Sequence, residues 1–334
     1  MHNKNTVSQA ARTGWTVVAV LACFILGSAV VGAEPLKIAY SDWPGWVALD
    51  VTQKKGFFKA EGVDVELVWF EYGPSMDAFS AGKVDAVAVT NGDALVTGSA
   101  GAKNTIILLN DYSDGNDMIV AKAGIKTVKD LKGKKVGVEV GFVDHLLLLK
   151  ALQLNGLKES DVTIVPIKTD QAAQVLASGE VDAVAAWQPN SGQALKSVHG
   201  STAVFTSANV PGLIYDTISV NPVSLAKNKA AWQKVVAAWY KSVEWLKNPK
   251  NKKEALEILS ARVNLKPAEY EGLLKGTHLL SLAEAKKVIV KADGFGSLFG
   301  STKIVDTFNV QNKVYDKAQA VDSYIDTSFI TALK

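Results

Sequence analysis

One ten-residue phrase occurs twice in this chain and constrains its fold more than any other feature. Residues 80–89 read SAGKVDAVAV, and residues 177–186 read ASGEVDAVAA. In each copy a glycine follows a helix-like stretch, and glycine readily takes the left-handed conformation that ends a helix. The Val- and Ala-rich run after the aspartate is too short for a helix and is typical of a buried parallel strand. The repeat therefore predicts two similar units, each with a helix, a turn and a buried strand.

Each predicted repeat strand runs directly into a polar loop, and the two loops differ. The first loop is Thr-Asn-Gly-Asp at residues 90–93, and the second is Trp-Gln-Pro-Asn at residues 187–190. Ligands of open α/β sheets bind at the carboxyl ends of the strands, where these loops lie. We therefore expect two α/β lobes that face one ligand cleft.

The first 33 residues are predicted to be a signal peptide. Lys4 and Arg12 give a positive start, residues 15–31 form an apolar run, and Val-Gly-Ala at 31–33 is a small-residue cleavage site. This order is that of a secretory signal, which we expect to be cut after Ala33, so that the protein reaches the periplasm. A membrane anchor is the alternative, although a run of about 17 residues is short for a bilayer span.

Charge and cysteine content argue against several classes of function. The chain has a formal net charge of +3 and no basic stripe with interleaved aromatic residues, so nucleic acid is not an expected partner. The single cysteine, Cys23, lies in the predicted signal peptide, which leaves the remainder without a disulfide or a thiolate nucleophile. No His or Cys cluster predicts a metal, and no Gly-rich nucleotide motif predicts a cofactor.

The order of predicted elements indicates an α/β fold with two lobes, each a sheet flanked by helices, followed by a helical C-terminal region from residue 224. A strand is predicted over 105–109, a polar loop over 110–117 and a further strand over 118–121. Short crossings near 122–126 and 211–216 are expected to join the lobes. The resulting division is lobe 1 at 34–123 and 213–334 and lobe 2 at 124–212, with the ligand cleft between them.

Four stretches carry a resemblance to a known family: GFFKAEGV at 56–63, GKVD at 82–85, DLKGKKV at 130–136 and GEVDAVAAWQP at 179–189. With the predicted helical tail, they make the chain resemble a periplasmic solute-binding protein of the nitrate/sulfonate/taurine class, which feeds ABC importers. The resemblance implies a type II-like periplasmic-binding-protein fold that closes on one small molecule and does no chemistry. It also implies a membrane permease as partner, and we expect a monomer.

The predicted cleft lacks the positive groups that binders of sulfonates and nitrate need. Arginine forks and free helix N-termini usually hold such anions. After residue 33 the chain has one arginine, Arg262, in the helical C-terminal region, and Asp144 lies near the helix start where an anion would bind. Carboxylates and aromatic side chains follow the predicted strands instead. The candidate ligand-binding residues are Asp42, Trp43, Trp46, Glu71, Tyr72, Asp93, Asp111, Glu139, Phe142 and Trp187.

Carboxylates beside aromatic faces suit a small nitrogen-containing cation. We therefore expect a guanidine-like solute first and a small amine second, and a neutral urea-type amide is a further option. The same predicted loops and crossings also hold Asp114, Asp117, Tyr215 and Asp216.

Other interpretations of the ligand and of the function stay open at this point. The ligand could be nitrate, a sulfonate such as taurine, or bicarbonate, as in the family that the chain resembles. The same fold class includes pyrimidine-precursor synthases, and a sensor that reports a ligand to a membrane receptor would use the same lobes. Structural roles are expected for Asp85 and Asp182 in the repeat and for Trp232 and Trp239 on a buried helix face.

Overall fold

Two β-sheets flanked by helices make up the part of the chain that the computed structural model describes, residues 34–334. The predicted signal peptide and Cys23 lie outside the described residues. The strands are β1 (Leu36–Tyr40), β2 (Val65–Trp69), β3 (Ala86–Thr90), β4 (Thr105–Ser113), β5 (Met118–Ala121), β6 (Lys135–Val138), β7 (Thr163–Pro166), β8 (Ala183–Ala186), β9 (Thr202–Thr206), β10 (Tyr215–Val220) and β11 (Thr277–Leu279).

The two sheets share one plan of strand pairing. The six-stranded sheet has the order β11-β4-β10-β3-β1-β2, and the five-stranded sheet has the order β7-β6-β8-β5-β9. β1 pairs in parallel with β2 and β3, and β6 pairs in parallel with β7 and β8. An antiparallel strand then follows each parallel set, β10 beside β3 and β5 beside β8. The predicted α/β fold with two flanked sheets is confirmed.

Helices cover the sheets and form most of the C-terminal region. They are α1 (Pro44–Lys54), α2 (Phe57–Ala60), α3 (Tyr72–Ser80), α4 (Asn91–Ser99), α5 (Val143–Leu154), α6 (Ala172–Ser178), α7 (Asn190–Ser197), α8 (Pro222–Lys227), α9 (Lys229–Lys247), α10 (Lys252–Arg262), α11 (Pro267–Leu273), α12 (Leu282–Val288), α13 (Leu298–Gln311) and α14 (Ser328–Thr331). In α9, Trp232 and Trp239 are fully buried, as predicted. Within residues 34–334, none of these helices combines the length and apolar character needed to span a bilayer.

The sequence repeat has the same structural role in both sheets. Its glycines, Gly82 and Gly179, take left-handed conformations after α3 and α6, with φ of 67° and 89°. In the first copy, Asp85 Oδ2 accepts a hydrogen bond of 2.9 Å from the backbone N–H of Lys37 on β1. In the second, Asp182 Oδ2 accepts one of 2.9 Å from the backbone N–H of Lys135 on β6. The repeated aspartate therefore ties each repeat strand to the neighbouring parallel strand.

Strand β4 is longer than predicted, which corrects the loop expected over 110–117. Residues 110–113 continue the strand, because β10 pairs along it and places Asp216 opposite Asp111. The short strand β11, within a region predicted to be helical, pairs with the same end of β4. The polar stretch after residue 109 offers no local strand pattern, so only these pairings across the fold make it a strand. The chain passes between the sheets at 114–117 and returns at 207–214.

Removing the repeated aspartates tests their structural role. We expect Asp85→Ala to lower the free energy of unfolding by about 1 kcal/mol, because it removes a partly buried hydrogen bond. Asp182→Ala should cost less, about 0.5 kcal/mol, because its hydrogen bond is exposed to solvent. Urea denaturation would measure both values against Asp64→Ala, an exposed control directly before β2. A cost for Asp85→Ala equal to that of the control would refute this role.

Candidate functional site

Four aromatic side chains that follow strands of both sheets surround one cavity. Trp43 and Trp46 follow β1, Tyr72 begins α3 after β2, and Trp187 follows β8. All four side chains are buried. They come together because each follows the carboxyl end of a strand in a parallel set, the position where α/β folds bind ligands.

This inner cavity is small, with a volume of about 10 Å³, which is room for about one water molecule. No lysine or arginine of the described chain lines it. Its lining consists of Trp43, Trp46, Tyr72, Thr90, Asp117, Val143, Trp187 and Asp216.

The aromatic rings of the inner cavity pack against one another. Trp46 stacks on Tyr72 with ring centroids 5.3 Å apart and planes 19° apart. Trp43 meets Trp46 edge to face at 6.5 Å, and Trp187 meets Tyr72 in the same manner at 5.0 Å. Large rings held by mutual packing give a fixed wall, and the faces of such rings attract cations.

Two buried carboxyl groups belong to the lining of the inner cavity. Asp117 and Asp216 are each 2% exposed; Asp117 Oδ2 has no hydrogen-bond partner within residues 34–334, whereas the Asp216 carboxyl lies against the carboxyl of Asp111. Burial raises the pKa of Asp117 to about 7 and the pKa of Asp216 well above its usual value. An ionised, unpartnered carboxylate is costly in a dry cavity. Asp117 therefore requires either a proton or a ligand that donates hydrogen bonds, and one proton shared with Asp111 would complete a hydrogen bond for Asp216.

Asp111 lies behind the aromatic wall rather than in a loop. Its Oδ1 accepts a hydrogen bond of 2.9 Å from Trp43 Nε1. Burial raises the pKa of Asp111 to about 7, and a hydrogen bond to Asp216 opposes that rise. The carboxylate also packs so closely on the start of α1 that Gly45 has no room for a Cβ atom. Asp111 thus holds Trp43 in place and faces the N-terminus of α1.

Asp93 connects Tyr72 to helix α5. The Tyr72 hydroxyl donates a hydrogen bond of 2.6 Å to Asp93 Oδ2, and the backbone N–H of Val143 donates one of 3.2 Å to the same oxygen. Burial raises the pKa of Asp93 to about 7. Phe142, which precedes α5, packs on Tyr72 with ring centroids 6.1 Å apart. A carboxylate of the protein therefore occupies the helix N-terminus where an anionic ligand would bind.

A second cavity lies on the other side of Tyr72 and Trp187, which line both cavities. We call it the outer cavity, and its volume is also about 10 Å³. It has four acids and one exposed lysine among its lining residues, which are Asp42, Glu71, Tyr72, Pro74, Glu139, Lys168, Thr169, Asp170, Trp187 and Asn190. The outer cavity is therefore acidic as well.

The Thr169 hydroxyl lies between Glu139, one of these acids, and Asp144 in α5. It is 2.8 Å from Glu139 Oε2 and 2.8 Å from Asp144 Oδ2. One hydroxyl hydrogen cannot serve both oxygens, so one of the two carboxyl groups must carry a proton to complete the pair of bonds. Burial raises the pKa of Asp144 well above its usual value, and it raises the pKa of Glu139 as well.

The ten candidate ligand-binding residues fall into three groups. Four aromatic residues line the inner cavity, and three acids line the outer cavity. The remaining three support the walls: Asp111 behind Trp43, and Asp93 and Phe142 beside Tyr72. Direct contact of any of them with a ligand stays a prediction.

Several lining residues were not among the ten candidates. Thr90 and Val143 carry no charge or ring that would have marked them, although each directly adjoins a loop that was considered. Asp117 and Asp216 were noted in the sequence, and only the tertiary structure shows that they line the same cavity. Arg262 packs elsewhere, with its guanidinium 4.3 Å from the ring centroid of Trp69 and Nε 3.7 Å from Asp50.

Comparisons with known proteins identify a family and several relatives of this chain. The family model described as "NMT1/THI5 like" matches residues 43–252. A Bacillus subtilis (strain 168) protein named for binding aliphatic sulfonates is 30% identical over 294 residues, 84% of this chain and 82% of the relative. The taurine-binding periplasmic protein of Escherichia coli (strain K12) is 24% identical over 89% of this chain and 90% of its own.

Solved structures show the same fold in binding proteins and in an enzyme. The alkanesulfonate-binding protein SsuA from Xanthomonas axonopodis pv. citri, bound to MOPS, has a TM-score of 0.73 and 19% identity, over 89% of this chain and 100% of that chain. The desulfurization enzyme DSZB has a TM-score of 0.63 and 16% identity, over 89% and 98%. At these identities the likeness concerns the fold alone, and function has to be argued from the site.

The raised pKa values predict how the stability of the ligand-free protein depends on pH. A carboxyl group with a higher pKa in the folded than in the unfolded state stabilises the fold below its unfolded pKa, and this contribution is lost as pH rises through the folded pKa. With folded pKa values of about 7 for Asp93, Asp111 and Asp117, the melting temperature should fall from pH 5 to pH 8. Burial lowers the pKa of His145, so this single group acts in the opposite direction.

Calorimetric melting between pH 5 and pH 8 measures this dependence, and Asp117→Asn isolates one acid. The neutral variant should be more stable than the wild type at pH 8, by about 1–2 kcal/mol, and nearly equal to it at pH 5. Asp114→Asn, at an exposed position nearby, serves as the control. Parallel pH profiles for the wild type and Asp117→Asn would contradict the assignment of a raised pKa to Asp117.

Proposed function

The chain belongs to the NMT1/THI5-like family, and from this membership we propose that it is the solute-binding component of an ABC importer. The membership confirms the class predicted from the repeat and from the four matching stretches. Support for the role comes from the names of the relatives, which describe sulfonate- and taurine-binding proteins. The protein would work in the periplasm, in agreement with the predicted signal peptide and the periplasmic relative. A membrane permease would receive the solute.

We further propose that the two lobes follow the two sheets. Lobe 1 would contain the six-stranded sheet and the C-terminal helices, and lobe 2 the five-stranded sheet. The passages at 114–117 and 207–214 would then act as the hinge, since few residues there would need to change conformation. The sequence placed the end of the first segment of lobe 1 at residue 123. We place it before β5 instead, because β5 pairs within the five-stranded sheet. The cavities between Trp43, Tyr72 and Trp187 would lie in the cleft.

The ligand that the geometry favours is a small cation with N–H donors. The observation that carries this proposal is the unpartnered Oδ2 of Asp117 beside the carboxyl of Asp216, in a cavity that no lysine or arginine of residues 34–334 lines. A guanidinium group offers N–H donors in a plane, and carboxylates accept them in pairs. The indole faces of Trp43 and Trp46 would add about 0.5–2 kcal/mol through cation–π attraction. A guanidine-like solute fits these features first, and a small amine second.

The helix N-termini at the site support a cation in a second way. In many binding proteins a free helix N-terminus holds the anionic part of a ligand. Here Asp111 packs on the start of α1, and Asp93 accepts the N–H of Val143 in α5. Near the start of α3, Glu139 Oε1 lies 3.0 Å from the position that a Cβ on Gly73 would occupy. The protein's own carboxylates thus neutralise the ends that an anion would need.

An anionic ligand is the second candidate, and the names of the relatives favour it. Sulfonates and taurine appear among the compounds that those names mention. In this chain such a ligand would have to displace or protonate several acids. Lys168 is the one lysine that lines either described cavity, and it lies at the outer one. An anion is therefore better placed in the outer cavity than between the tryptophans.

A panel of small solutes distinguishes the two candidates. Guanidinium, methylammonium and urea should be titrated against taurine, ethanesulfonate, nitrate and bicarbonate in a thermal-shift assay, with calorimetric titration of each solute that responds. A bound solute at 100 times its dissociation constant should stabilise the protein by about 2.7 kcal/mol. We expect guanidinium to give the largest shift. A response to the anions alone would overturn the cationic proposal and favour the sulfonate alternative.

Neutralising the cavity acids tests where the cation binds. Asp117→Asn and Asp216→Asn should each weaken guanidinium binding by about 10-fold or more, because each removes a charged acceptor. Asp114→Asn removes a nearby exposed charge and should leave the affinity within about 2-fold of the wild type. The wild-type affinity should also rise from pH 5 to pH 8, as the acids lose their protons. Equal affinities in Asp114→Asn and Asp117→Asn would place the cation elsewhere.

A further inference from the structure

Trp187 separates the inner cavity from the outer cavity. It lines both cavities together with Tyr72, and the two rings meet edge to face with centroids 5.0 Å apart. Trp187 follows β8 of the five-stranded sheet, whereas Tyr72 follows β2 of the six-stranded sheet. A solute that enters the inner cavity from the outer one must therefore pass where these two rings now touch.

Asp42 holds Trp187 in this position across the two sheets. It follows β1 of the six-stranded sheet, and its Oδ1 accepts a hydrogen bond of 3.0 Å from Trp187 Nε1. Its Oδ2 accepts one of 2.8 Å from Asn190 Nδ2, at the start of α7. Both carboxylate oxygens are thus engaged by donors from the other sheet. This leaves Asp42 poorly placed to bind a solute itself.

The environment of Asp42 makes these two hydrogen bonds important. No lysine or arginine forms an ion pair with Asp42 anywhere in residues 34–334. Burial raises its pKa, the donors Trp187 and Asn190 oppose that rise, and Asp170 adds a like charge. If the indole of Trp187 moved away, water would replace its N–H as a donor to the Asp42 carboxylate. The position of Trp187 and the hydration of Asp42 are therefore coupled.

We propose that Asp42 is a positioning residue that fastens Trp187 over the mouth of the inner cavity, so that a bound solute leaves slowly. This inference rests on the proposed solute-binding function. Asp42 acts through the indole N–H and not by contact with the solute. Asp42 and Trp187 follow strands of different sheets, so their hydrogen bond forms only when the two sheets lie close together. The same bond completes the aromatic wall of the inner cavity.

A double-mutant cycle on release rates tests the proposal. Stopped-flow fluorescence would give the dissociation rate of whichever panel solute binds the wild type. Asp42→Ala should raise that rate roughly 10- to 100-fold, since a hydrogen bond to a charged group is lost, and should change the association rate much less. Trp187→Phe keeps a ring but has no N–H donor, so adding Asp42→Ala to it should cause little further change. Fully additive effects in the double variant would overturn the proposal.

The matched control is Asp85→Asn, which changes a carboxylate of the same sheet that is hydrogen-bonded only within that sheet. Its dissociation rate should equal that of the wild type. Asp42→Asn keeps one acceptor oxygen and should fall between the wild type and Asp42→Ala. A rate for Asp42→Asn as high as that of Asp42→Ala, or a raised rate in the control, would count against an action through Trp187.

A measurement without solute separates this proposal from the proposed function. Protein labelled with 5-fluorotryptophan gives one fluorine resonance for each indole, and Trp187→Phe identifies that of Trp187. In the free protein Asp42→Ala should shift this resonance, whereas Asp85→Asn should not. An unmoved resonance in folded Asp42→Ala would refute the role of Asp42 even if the panel finds a ligand. A shifted resonance with no ligand in the panel would refute only the proposed solute class.

Discussion

Desolvation of carboxyl groups is the physical constraint on which the rest of this site depends. Asp93, Asp111, Asp117 and Asp216 are almost completely buried near one another, and no lysine or arginine of residues 34–334 lines the cavity that they adjoin. Burial of a charge is tolerated in proteins when a partner or a proton compensates it. Some of these groups accept hydrogen bonds from N–H and O–H donors, Asp111 and Asp216 lie against each other, and Asp117 Oδ2 has no partner within residues 34–334. Burial raises the pKa of all four groups, and the cationic ligand proposed above would supply hydrogen-bond donors to them.

The fold brings these groups together through its strand order and not through their spacing in the sequence. Each sheet places a repeat strand, β3 or β8, between a parallel partner and an antiparallel one, so both sheets present similar strand ends. The loops that follow these strand ends differ between the two sheets, and their side chains determine what the site can bind. This arrangement explains how one fold serves sulfonate binders and a desulfurization enzyme among its structural relatives, while this chain carries acids and indoles at its own strand ends.

Much of the architecture was predictable because its signals are local. The first strand, the helix ends at Gly82 and Gly179, and the strand at 118–121 each follow from a few neighbouring residues. The site was predictable in part, since the rings of Trp43 and Trp187 directly follow predicted strands. Asp111 was assigned to a loop, although pairing with β10 and β11 places it in a strand. The selected Asp42 has both oxygens engaged within the protein, while Asp117 and Asp216, which were not selected, line the cavity.

The sequence by itself determined the two repeated α/β units, the family, and a supply of acids and aromatic residues without arginine near the strand ends. Periodicity, glycine positions and composition act over short stretches of chain, and so they can be read in order along it. Only the tertiary structure decided which acids share a cavity, which ones hold an indole instead, and which helix ends are already occupied. Those outcomes depend on contacts between residues far apart in the chain, such as Asp42 with Trp187 and Asp111 with Asp216, and on the loss of water around them. No local sequence pattern predicts these long-range contacts or the loss of water around them.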